Sequence, residues 1–200
     1  MDADADRALG PRMAEIARQL VQTRQQFDAI AGSWDTMRDP THLAPYELAL
    51  DAADPAPSNA LDLGTGTGQG AFAIARRFPH AQVVGVDLAE GMLAEARRKT
   101  PAELTERVRF QRGDASALPF ADASFDVVAH ANMIPFFDEL ERVLVPGGQA
   151  LFAFSLGPGT PIYVAPERLQ EELRRRGFTE FASFEAGKGS ALLARKGARA

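Results

Sequence analysis

Apolar residues along the chain follow two rhythms. From Pro11 to Gly32 they recur at helical spacing, as Met13, Ile16, Ala17, Leu20, Val21, Phe27, Ile30 and Ala31, with polar residues between. Pro11 suits a first helical turn and Gly32 an end, while residues 1–10 read as a loose tail. A weaker helical pattern covers Tyr46–Ala53 and stops at the breaker-rich DPAPSN of Asp54–Asn59. Beyond it, short apolar runs alternate with helical stretches. The runs are Ala60–Leu63, Gln82–Val86, Val108–Gln111, Phe125–Ala129 and Gln149–Ser155, with helices predicted at Gly70–Phe78, Gly91–Lys99 and Phe137–Leu144. Such alternation predicts βαβ units, a parallel sheet covered on both faces, and strand C-termini gathered along one edge. Pro166–Arg176 reads as a last helix, with Gly177 just past it. Thr179–Glu185 and Ser190–Arg195 then form a hairpin across Gly187–Gly189. The expectation is an α/β, doubly wound sheet of seven strands, mostly parallel and closed by an antiparallel hairpin. Residues 1–58 would form a tail and helical lid and residues 59–200 the sheet, within one structural domain.

Composition narrows the function classes. With 200 residues and a hydrophobic fraction of 46%, one globular core is expected. The net charge of −5 argues against phosphate-backbone binding. The clusters Arg97-Arg98-Lys99 and Arg174-Arg175-Arg176 fall near predicted helix ends, where cations complement the dipole, so no nucleic acid partner is expected. Cysteine is absent, which excludes disulfides, thiolate metal sites and cysteine nucleophiles. His42, His80 and His130 are too scattered for a metal cluster, and none is expected. The start, MDADADRALG, is acidic where a secretory leader is basic. No uncharged apolar stretch approaches the roughly 18–20 residues of a membrane helix. A cytoplasmic protein without membrane attachment is the expectation.

The candidate chemistry lies on the predicted sheet edge. Gly64, Gly66 and Gly68 follow the first strand and precede a helix, in ALDLGTGTGQGA. Glycines there allow a sharp turn and close ligand approach, and the exposed N–H groups favour an electron-rich ligand. Asp87 ends the second strand, where a carboxylate can accept from two ribose hydroxyls. Asp114 ends the third, able to accept from an exocyclic amine while Ala115 leaves room for a flat base. The glycine loop alone does not choose the cofactor. The frame Gly66-x-Gly68-x-x-Ala71 also satisfies the NAD fingerprint, and Asp87 would serve either.

ALDLGTGTGQGA, VVGVDLAEGML, FQRGDASALPFADASFDVV and ELERVLVPGGQALFAFS, in that order, resemble the successive motifs of class I S-adenosylmethionine-dependent methyltransferases, closest to a small-molecule, quinone-biosynthesis-like branch. The resemblance covers about residues 59–195, and FDAIAGSWD at Phe27–Asp35 is similar to the lid of quinone-type members. It implies a Rossmann-like fold, S-adenosyl-L-methionine as cofactor and a small-molecule methyl acceptor. Residue by residue, it implies that Asp62, Gly64, Thr65, Gly66 and Gly68 hold the methionine end. Asp87 would take the ribose, with Leu88 and Met92 beside the adenine and Asp114 and Ala115 at its amino edge. His130 to Asn132, after the fourth strand, would line the space near the methyl group, and Pro146-Gly147-Gly148 would turn into the fifth strand.

Two departures bear on the acceptor. The segment AHANMIPFFDELERVL and the loop Leu156–Ala165 are both short for this branch. Trimmed walls imply an open cleft, a small substrate, or a wall supplied by the N-terminal helix or by a second subunit, as in a homodimer. Methyl transfer needs a base only for a hydroxyl or protonated amine, and His130 is the candidate. The activity expected is O-, N- or C-methylation. An NAD-dependent Rossmann-fold oxidoreductase and a non-catalytic cofactor-binding module are the alternatives.

Overall fold

The computed structural model describes residues 24–198. The expected tail, and the expected helix up to residue 23, lie outside the described residues. Residues 24–30 are helical (α1), followed by short 3-10 turns at Ala31–Ser33 and Asp35–Met37. The other helices are α2 (Ala44–Asp51), α3 (Gln69–Arg77), α4 (Glu90–Lys99), α5 (Phe137–Val143) and α6 (Pro166–Arg175). The strands are β1 (Asn59–Leu63), β2 (Gln82–Asp87), β3 (Val108–Arg112), β4 (Phe125–Ala131), β5 (Leu144–Phe154), β6 (Phe178–Ala186) and β7 (Gly189–Lys196).

The sheet order is β3-β2-β1-β4-β5-β7-β6. The first five strands are parallel, and β7 joins β5 and β6 antiparallel, as the sequence pattern predicts. The chain order reverses at β1 and β4, which are adjacent, and the C-terminal ends of such a pair open a crevice. Parallel strands covered on both faces need continuous apolar runs, and β1 is buried from Ala60 to Leu63.

Two core layers clasp the sheet. One packs Tyr46, Leu50, Phe72, Ile74 and Phe78 of the α2–α3 side against Val83, Ala129 and Leu151. The other sets Leu140, Val143, Leu169 and Leu173 of α5 and α6 against Leu61, Val128 and Phe152. Register between β4 and β5 shifts from Phe125↔Leu144 to Val127↔Gln149. The extra residues on β5 include the Pro146-Gly147-Gly148 turn, where Gly147 has φ +80.

Both basic clusters end helices, as expected, and they are paired. In α6, Arg175 and Arg176 meet the nearly buried Glu172 at 3.2 and 3.1 Å. In α4, Arg97 meets Glu90 and Arg98 meets Glu95, while Lys99 crosses to Asp35 in the segment after α1.

Candidate functional site

The crevice is floored by the loop between β1 and α3. Gly64, Gly66 and Gly68 all have positive φ, at +64, +53 and +88. At Gly68 a Cβ would lie 2.8 Å from Phe110 and 3.0 Å from Phe72, so only glycine lets α3 start this close to β3 and α4. Asp62 is buried beneath this loop. Its Oδ2 accepts from the Thr65 hydroxyl at 2.6 Å and its Oδ1 from Tyr46 at 3.1 Å, with the Ala71 N–H also directed at the carboxylate. Burial pushes its pKa up to about 6 against these donors. Asp62 and Thr65 therefore hold the loop's shape as well as lining the cavity above it.

Asp87 ends β2 and braces the same loop. Its Oδ2 accepts the Gly66 N–H at 2.8 Å and its Oδ1 the Ala89 N–H at 2.9 Å, leading into α4. Burial raises its pKa, opposed by the N–H donors of Ala89, Gly66 and Leu88. A carboxylate has about four lone-pair sites, so acceptor capacity remains beside these donors. Leu88, Met92, Asp114 and Ala115 all line the cavity. Asp114 is exposed, and its Oδ1 accepts from the backbone and hydroxyl of Ser116 at 2.8 and 2.7 Å, a local turn.

The fourth strand end differs from expectation. β4 runs two residues past the predicted end, to Ala131, so His130 lies within the strand rather than after it, opposite Leu63 and Phe152. Alternation along β4 turns Ala129 and Ala131 to one face and His130 to the other, where its ring packs edge-on against Phe152 at 4.6 Å. Both ring nitrogens are buried without a partner among the described residues, burial pulls the pKa down to about 3, and the residue is absent from the cavity lining. Asn132 does line the cavity, with φ +53; its Oδ1 accepts from the Ser155 N–H and hydroxyl, both at 2.9 Å.

The N-terminal segment supplies a wall that the sequence only offered as one option. Phe27, Ile30 and Trp34 pack on Ala89 and Met92. Asp28 accepts the Gly91 N–H at 2.8 Å, capping α4 from a distant part of the chain. A Cβ on Gly91 would lie 3.0 Å from the Asp28 backbone, so glycine sets the closeness of this contact. Asp35 accepts from Thr67 at 2.5 Å, Lys99 at 2.9 Å and Gln69 at 3.1 Å. Burial would raise the Asp35 pKa, but these donors outweigh it and hold it below the ordinary range.

Sequence reasoning passed over Arg38 and His42, which also line the cavity. His42 Nδ1 lies 2.8 Å from the Asp39 carbonyl oxygen. A carbonyl only accepts, so Nδ1 is the donor of this contact and Nε2 is the ring nitrogen left outside it. No periodicity or motif marks either residue, because their place follows from the fold of a non-repetitive segment. The cavity measures about 590 Å³, within the usual range for small-molecule sites. It offers backbone N–H groups, a paired acceptor at Asp87, and apolar walls from Phe27, Met92, Met133 and Ile162.

A family model described as a methyltransferase domain matches residues 60–148. A demethylmenaquinone methyltransferase of Chlorobaculum parvum is 34% identical over 175 residues, 74% of this chain and 68% of that protein. The chain belongs to the class I S-adenosylmethionine-dependent methyltransferase family. A second demethylmenaquinone methyltransferase of this family, from Thermus thermophilus, is 49% identical over 110 residues, 52% of this chain and 48% of that one. The chain spans about half the length of the first curated methyltransferases it matches. The methyltransferase fold recurs in a Haloferax volcanii complex of the Trm112 methyltransferase activator with a putative methyltransferase. There the TM-score is 0.71 at 20% identity, covering 86% of this chain and 97% of that chain.

Proposed function

We propose that this protein transfers a methyl group from S-adenosylmethionine to a small-molecule acceptor, an electron-rich ring of the quinol type. The observation that carries the cofactor is Asp87, which braces Gly66 and keeps acceptor capacity facing the cavity. That pairing fits vicinal ribose hydroxyls beside a close-approach glycine loop. Leu88 and Met92 would flank the adenine, with Asp114 and Ala115 at its amino edge. The loop of Gly64, Thr65, Gly66 and Gly68, held from below by Asp62, would take the amino-acid end.

When bound, the cofactor supplies an activated methyl on a positively charged sulfur, which becomes a neutral thioether once the methyl has moved. The chain's main task is then to hold the nucleophile in line, an effect worth roughly 7–11 kcal/mol when geometry is good. Met133, Phe136 and Ile162 would present an apolar wall to a flat ring beyond the end of β4. Relatives are named for demethylmenaquinone, and the reduced form of such a ring has nucleophilic carbons once a hydroxyl proton is lost. His42 takes that proton on Nε2, with Nδ1 held by Asp39. The hydrogen displaced from the ring carbon returns to the oxygen, so one proton leaves the acceptor overall. His130, walled into the core, has no part in the proton transfer.

The test is transfer of labelled methyl to reduced demethylmenaquinone under anaerobic conditions. His42→Gln should lower turnover by about a hundredfold or more. Cofactor binding without any transfer to the quinol would defeat the acceptor reading, and unchanged turnover in His42→Gln would defeat the base.

A further inference from the structure

The segment after α1 places a cation over the glycine loop with no carboxylate bonded to it among the described residues. Asp35 directs its oxygens to Thr67, Gln69 and Lys99, and Lys99 brings its own positive charge to that carboxylate. Arg38, three residues on, feels the field of Asp35 but makes no hydrogen bond or ion pair among the described residues. Lys99 is shared between Asp35 and Glu95, at 2.9 and 3.4 Å, and Arg38 is the cation of this cluster without an ion-pair partner among the described residues.

The guanidinium is half-buried, lies 4.4 Å from the centre of the Trp34 ring, and faces the cavity. Burial disfavours its charge, and Asp35 offsets this only in part. The ring contact leaves the guanidinium's N–H donors without a partner among the described residues. Trp34 in turn stands over Gly66, where a Cβ would lie 3.8 Å from the indole nitrogen. The latch of Asp35 to Thr67 and Gln69 holds this stacked pair at the loop and at the first turn of α3, on the amino-acid side of the cofactor site. Met133, Phe136 and Ile162, the proposed acceptor wall, belong to different segments beyond β4 and β5.

We propose that Arg38 binds the carboxylate of the cofactor's amino-acid end while stacked on Trp34. The proposal rests on the S-adenosylmethionine reading and adds a specific anchor to it. A planar guanidinium offers a carboxylate two parallel donors, a geometry that neither lysine nor the glycine loop supplies. Arg38 is thus a reader of the ligand's charge delivered by the lid.

The test compares two ligands that differ only in this group, S-adenosylhomocysteine and its decarboxylated counterpart, by calorimetry on the full chain. The wild type should prefer the carboxylated ligand by about tenfold or more. Arg38→Met should reduce that preference to about threefold or less, chiefly by weakening S-adenosylhomocysteine, and Arg38→Lys should restore part of it. Equal weakening of both ligands by Arg38→Met would mean that the residue only packs the lid and would overturn the proposal. A preference unchanged in Arg38→Met would overturn it too, leaving the guanidinium to an anionic acceptor. A wild type that binds neither ligand would instead bring down the cofactor reading beneath it.

Discussion

Asp62 on β1 and His130 on β4 are buried titratable groups on neighbouring strands, and they act on stability with opposite signs as pH changes. The His130 pKa falls to about 3 in the folded protein from an ordinary 6.5. Between those values the unfolded chain binds more protons, so this contribution to stability is lost as pH drops below about 6.5. The Asp62 pKa rises to about 6 on folding, so the folded chain binds more protons between about 4 and 6 and gains stability on acidification there. His130→Leu isolates the first effect. Going from neutral pH to about pH 5, the variant should retain about 2 kcal/mol more stability than the wild type, or about 4–8 °C in Tm. Parallel losses in the two proteins, followed by thermal melts across pH, would contradict the buried neutral imidazole. The sequence could not show this, because a strand end flanked by Ala129 and Ala131 gives no sign of where pairing stops. Two further residues of pairing turned an expected cavity group into a core one. Asp87 was legible from its place at the end of the second strand and Asp62 from the family resemblance, and both line the cavity. Their use as braces for Thr65 and Gly66 was not, because hydrogen bonds across the loop have no periodic signature.

Among the elements, the segment from α1 to the 3-10 turns supplies one wall of the cavity. Its helical rhythm through Phe27 and Ile30 was readable, but its anchors were not. Asp28 to Gly91 and Asp35 to Lys99 are pairs more than sixty residues apart in sequence. Lys99 looked like one more cation at a helix end, whereas it ties α4 to the segment after α1. Asp35→Ala removes the common acceptor of Thr67, Gln69 and Lys99. Losing charge-assisted hydrogen bonds of this kind costs about 1.5–3 kcal/mol at a partly buried site. The cost should show as local opening. Amide exchange should accelerate over residues 24–38 while the β1, β4 and β5 amides stay protected. Uniform acceleration across the sheet, or none in the lid, would argue that Asp35 is not the latch.

Over the whole molecule, the topology does the assembling. The reversal between β1 and β4 opens a crevice at the strand ends, and the loops after β1, β2, β3 and β4 all contribute lining to one cavity. The parallel sheet and the closing hairpin were legible because β-runs alternating with helices imply right-handed crossovers, and two strand-like runs joined by a short glycine turn imply a hairpin. The short segments after β4 and β5 pointed to missing walls without saying what replaces them. Trp34, Arg38 and His42 fill that gap through a segment that is neither strand nor long helix. The central claim is that this cavity is a site for S-adenosylmethionine built around Asp87, and a calorimetric titration with S-adenosylhomocysteine, run beside NADH, tests it most directly. The account predicts saturable binding of S-adenosylhomocysteine, weakened by about tenfold or more in Asp87→Ala, about 1.4 kcal/mol, with no heat from NADH. Binding of NADH in preference, or of neither ligand, would contradict it.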